Sequence, residues 1–111
     1  MSVLTIRSYK RYAARLPIEL RRDGRKTVSG LLIELSQQGA RLSGLGRGKY
    51  ETGDQVVIVA PTGEEYEGTI RWAHDGLAGV RLNSSLHLPE MRDLLDLNRR
   101  EQTGVDWRYG T

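Results

Sequence analysis

The chain has 111 residues, with 17 Lys and Arg against 14 Asp and Glu, a formal net charge of +3. That length suits one domain with a modest core, and the charge excess is small for a dedicated DNA-binding domain. With no Cys, disulfides and thiolate metal sites are excluded, and His74 and His87 alone leave a zinc site short of ligands.

Residues 1–15 read as a basic arm with two overlapping Arg-x-x-x-Arg pairs, Arg7/Arg11 and Arg11/Arg15. On a helix each pair shares a face; in an extended segment they form a cationic leader. Leu16-Pro17-Ile18-Glu19-Leu20 alternates and predicts a first strand, with Pro17 suited to an edge. Asp23-Gly24 signals a hairpin. Val28 to Leu35 predicts a second strand, and its nearly continuous apolar run predicts burial. Ser36 to Gly39 is a turn, and Ala40 to Ser43 a third strand. Gly44-Leu45-Gly46-Arg47-Gly48 reads as a mobile loop too short for a phosphate-gripping P-loop. Gly53-Asp54 turns into a fourth, buried strand over Gln55 to Ala60.

After Pro61-Thr62-Gly63, Glu64 to Trp72 alternates, which puts Tyr66, Gly68, Ile70 and Trp72 on one face. Asp75-Gly76 closes a hairpin onto Leu77 to Leu82. Pro89 then opens a helix with Leu88, Met91, Leu94, Leu95 and Leu97 as its apolar stripe, ending near Asn98-Arg99-Arg100. Residues 101–111 carry no pattern and read as a tail. Six short strands and one helix predict a mainly β fold: a small six-stranded antiparallel barrel with a C-terminal helix at one opening. Residues 16–100 form its single domain.

No long apolar run begins the chain, so neither a signal peptide nor a membrane span is expected, and the default compartment is cytoplasmic. No Gly-x-Ser-x-Gly elbow or organised His/carboxylate set is present, so no catalytic residue, metal or cofactor is expected. The stretch with chemical content is Glu34-Leu35-Ser36-Gln37-Gln38-Gly39. Glu34 and Ser36 lie two apart, so in an extended segment a carboxylate and a hydroxyl leave on one face. Gly39 either takes φ > 0 or lets another group approach the backbone. The plain alternative is an ordinary hairpin with a solvated Glu.

The order of these pieces resembles the PilZ domain family, bacterial receptors for cyclic di-GMP. An Arg-x-x-x-Arg arm precedes Leu16-Pro17-Ile18; a Glu-x-Ser-x-x-Gly turn follows the second strand. Ile70-Arg71-Trp72 then leads through Asp75-Gly76 to Ala78-Gly79-Val80-Arg81-Leu82, and the likeness runs from Arg7 to about Arg100. The family motif has Asp or Asn where this chain has Glu34. The resemblance implies a ligand held between arm and barrel face by Arg7, Lys10, Arg11 and Arg15 with Glu34, Ser36 and Gly39. Register against Leu16-Pro17-Ile18 favours Arg7 and Arg11, with Arg15 as the competing choice. It further implies relay to an unidentified protein partner. Two alternatives remain: a PilZ-like adaptor that engages protein and no nucleotide, and a basic barrel for RNA or single-stranded DNA. The scattered Tyr and Trp, with no Phe, argue against the latter.

Overall fold

The computed structural model describes residues 10–46 and 49–97. Its strands are β1 (Tyr12–Arg21), β2 (Val28–Leu35), β3 (Gly39–Ser43), β4 (Gln55–Val59), β5 (Glu65–His74) and β6 (Leu77–Leu82). All pairings are antiparallel, and the order β1-β2-β3-β6-β5-β4 closes into a barrel. Closure is short: β1 meets β4 only through Glu19–Val59, Leu20–Ile58 and Arg21–Val57. Pro17 precedes that seam, where β1 is laddered to β2 alone, so its missing N–H is tolerated as at an edge.

Alternation fills the barrel. Leu16, Ile18 and Leu20 of β1, Leu42 of β3, Val56 and Ile58 of β4, Ile70 of β5 and Val80 of β6 all point inward and are buried. The Asp-Gly turn between β5 and β6 has both central residues at positive φ, 50° at Asp75 and 79° at Gly76, the type I′ geometry that matches strand twist.

Helix α1 covers residues 88–97. The His87 backbone N–H donates to Glu90 Oε1 at 3.0 Å, one arm of a capping box. Met91 and Leu94 are buried against Leu86 and the barrel core, so the helix stoppers one opening. Topology puts the start of β1, the β2–β3 turn and α1 at that same end. At the other end Arg22 donates to the Lys49 carbonyl at 2.7 Å, pairs with Asp54 at 3.2 Å and lies over Tyr50.

Several expectations are corrected. β1 begins at Tyr12, so residues 12–15 of the expected arm are strand. In β2 only Leu32 and Leu35 are buried; Leu31 and Ile33 are half-covered, because a closed wall has an outer face even where the sequence is apolar. Val57 and Val59 of β4 are likewise only half-buried. The glycine loop is pinned: Leu45 is buried, and its N–H donates to the Gly76 carbonyl at 3.1 Å. Leu88 is 49 % exposed and stands outside the helix stripe. Trp72 does not share the face of Ile70. A bulge between them puts Trp72 opposite Gly79, while Ile70 stays opposite the inward Val80.

Candidate functional site

Two bulges decide what the outer wall displays. In β2 the register slips between Leu32 and Glu34; Leu32 pairs with Leu42 and Leu35 with Ala40, all buried, so Glu34 points out opposite Arg41. In β5 the slip turns Trp72 out opposite Gly79. The pairings then place Ala13, Glu34, Arg41, Gly79 and Trp72 side by side across β1, β2, β3, β6 and β5. A carboxylate, a guanidinium and an indole thus share one row, with a glycine between the last two.

The row is packed. The Arg41 guanidinium lies 5.5 Å from the centroid of the Trp72 ring, a cation–π contact. The His74 ring stacks on Trp72 at 5.3 Å and 29°. A side chain at 79 has no room, since its Cβ would run into the Trp72 indole. The glycine lets the aromatic lie flat across β6.

Arg11 joins this wall from the start of the chain: its Nη1 is 3.8 Å from Glu34 Oε1, with the two side chains 49 % and 33 % exposed. Such a pair is worth about 0–1 kcal/mol. It places the Arg11 guanidinium beside the Glu34 carboxylate. Lys10 and Arg15 are exposed at the same end, whereas Arg7 lies outside the described residues.

The Ser36–Gly39 turn borders the row. Ser36 Oγ accepts the backbone N–H of Gly39 at 3.1 Å and of Gln38 at 3.3 Å. Its own proton faces the Gly39 carbonyl at a long 3.4 Å, so its donor capacity is poorly used. Gly39 is glycine for close approach, not for φ: a Cβ there would sit 2.8 Å from the Val80 carbonyl oxygen. The β6 backbone takes the space that sequence reasoning offered to a ligand. Gln37 and Gln38 fix the turn to the end of β6 and the segment after it, with the Gln38 carbonyl accepting from Leu82 N–H at 2.8 Å and the Gln37 amide donating to the Leu86 carbonyl at 2.9 Å.

The structure therefore brings Arg11, Glu34, Ser36 and Gly39 to one end of one wall. Arg41 and Trp72 were missed as site residues. The signal for Trp72 was present but misdirected, because strict alternation sends it into the core. Among the described residues there is no grouping of three or more His, Cys, Asp or Glu fit for a metal, and no helix long and apolar enough to cross a membrane.

Comparison with known proteins agrees with this architecture. The inhibitor of motility MotI/DgrA of Bacillus subtilis superposes with a TM-score of 0.62 at 16 % identity, covering 88 % of this chain and 52 % of that one. This chain thus spans about half the length of MotI/DgrA. The PilZ domain of CeSA from a cellulose-synthesising bacterium superposes with a TM-score of 0.60 at 24 % identity, covering 84 % of this chain and 98 % of that one. At such identities these likenesses speak to the fold. No curated protein sequence matches. The PilZ domain family model, however, matches residues 5–100, spanning the arm, the barrel and α1. The chain belongs to the PilZ domain family, a family of cyclic di-GMP receptors.

Proposed function

We propose that this protein is a non-enzymatic receptor that binds cyclic di-GMP between its N-terminal arm and the outer wall of β1, β2, β3, β6 and β5, and passes the signal to a protein partner. The observation that carries the reading is the register row: Arg11 reaches Glu34, and Glu34, Arg41 and Trp72 stand in line behind it.

The chemistry of that row suits the ligand. A guanine offers N1–H and N2–H donors, which a carboxylate at Glu34 accepts. Its π face stacks on an indole, and the O6/N7 edge and the phosphates match the planar fork of Arg. The under-used Ser36 hydroxyl supplies one more donor at the turn. Each charge-assisted hydrogen bond contributes about 1.5–3 kcal/mol, whereas ordering an arm residue costs about 1–2 kcal/mol. Arm closure therefore needs several contacts at once, from Arg7, Lys10 and Arg11 together, with Arg15 already fixed on β1. That makes it a switch: the contacts that the arm makes with the ligand present a new surface to the partner.

Titration calorimetry with cyclic di-GMP, with GTP as control, tests the reading. Binding to the dinucleotide alone, lost in Arg11→Ala with the melting temperature unchanged, is the expected result. A wild-type protein that stays silent at high micromolar dinucleotide ends the proposal.

A further inference from the structure

On the far side of the wall from the arm, β5 and β6 carry a second cationic feature that the arm and turn motifs do not include. The bulge in β5 leaves Arg71 as the extra residue between Ile70 and Trp72, and Arg81 stands one outward position along β6 from Gly79. Both are exposed. Neither enters an ion pair among the described residues. They flank a groove of about 470 Å³ whose other polar lining is Gln38, Thr69, Asn83 and Ser85, with no carboxylate among them.

The groove is built and rich in donors. Gln55, Thr69 and Asn83 form a closed hydrogen-bond ring: the Gln55 amide donates to Thr69 Oγ1 at 2.9 Å, Thr69 to Asn83 Oδ1 at 2.9 Å, and Asn83 Nδ2 back to Gln55 Oε1 at 3.2 Å. This ring holds the floor and leaves one N–H of the Asn83 amide to spare. Gln38 belongs to the Ser36–Gly39 turn, so the groove is continuous with that turn. Across the Leu82–Ser85 ridge a separate groove is lined by Glu64, Glu65, Glu67 and Glu90, which fixes where the positive surface stops.

We propose that Arg71 and Arg81 form a second anion subsite, holding the phosphate of the bound cyclic dinucleotide that lies away from the arm. The inference rests on the receptor reading above and adds to it an anchor built into the barrel. Two phosphates are then held by two cation sets, one on the N-terminal arm and one on the paired strands β5 and β6.

Calorimetry with cyclic di-GMP on Arg71→Ala, Arg81→Ala and the double variant tests it. Loss of one charge-assisted contact weakens binding about 10-fold or more, and the double variant about 100-fold or more. Arg81→Lys restores part of the loss, since a Lys supplies the charge without the fork. Arg25→Ala, in the β1–β2 turn at the opposite end, is the control for a general field effect and leaves affinity unchanged. Wild-type binding with a double variant within about twofold of it, or an equal loss in Arg25→Ala, overturns the subsite and spares the receptor reading. A wild type that binds no dinucleotide removes both.

Discussion

Glu34 stands where the family motif has Asp or Asn, and the structure gives the substitution a measurable consequence. Glu34→Asp withdraws the carboxylate by one C–C bond, about 1.5 Å. Its 3.8 Å approach to Arg11 then opens beyond ion-pair reach. At that distance in water the pair is worth about 1 kcal/mol at most. Without ligand that attraction competes with dinucleotide for both groups, so its loss strengthens binding by no more than about fivefold. Loss of the carboxylate itself acts differently: Glu34→Ala removes a charged acceptor worth about 1.5–3 kcal/mol and weakens binding about 10- to 100-fold. Both side chains are half-exposed, so neither variant moves the melting temperature by more than a few degrees. Calorimetry of the three proteins side by side reads the result. Glu34→Asp at more than about threefold weaker affinity shows that the longer side chain has a role of its own. Glu34→Ala that binds more tightly than wild type makes Glu34 a latch on Arg11 and nothing else.

Gly79→Ala drives a methyl into the Trp72 indole and lowers stability by about 1–3 kcal/mol; in a Trp107→Phe background, its Trp emission shifts as the ring is displaced from Arg41 and His74. Gly39→Ala puts a Cβ 2.8 Å from the Val80 carbonyl, and a melting temperature within 2 °C or so of wild type would contradict that close approach. Leu94→Ala opens a cavity between α1 and the barrel end and lowers stability by about 2–5 kcal/mol by urea denaturation. Burial, then the charges of Glu64, Glu90 and Asp93 and a hydrogen bond with Glu64, push the Tyr66 phenol up to about 12 from its ordinary 10.0. A raised phenol pKa means that the folded state holds its proton longer than the unfolded one. Its stabilisation is complete below pH 10 and is lost as pH climbs from 10.0 towards 12, and Tyr66→Phe flattens that decline in alkaline melting curves.

The strands were legible because alternation is a property of the backbone. Val28–Leu35 and Leu77–Leu82 have the bounds that the sequence pattern predicts, and Asp75-Gly76 forms the turn its residues demand. What alternation cannot show is a register slip. A bulge adds one residue to one strand of a pair and reverses every face beyond it, yet no residue type marks it. Slips occur between Ala13 and Leu16, between Leu32 and Glu34, and between Ile70 and Trp72. The second keeps Leu32 and Leu35 both in the core while Glu34 faces out; the third keeps Ile70 in the core while Trp72 faces out. Without them a period of two would send Glu34 inward beside Leu32, a buried carboxylate with no partner, and Trp72 inward beside Ile70. The irregularities thus let one closed barrel keep an apolar interior and still line up a carboxylate, a guanidinium and an indole on its outer surface. The residues that the sequence reading missed, Arg41 and Trp72, belong to the row those slips create.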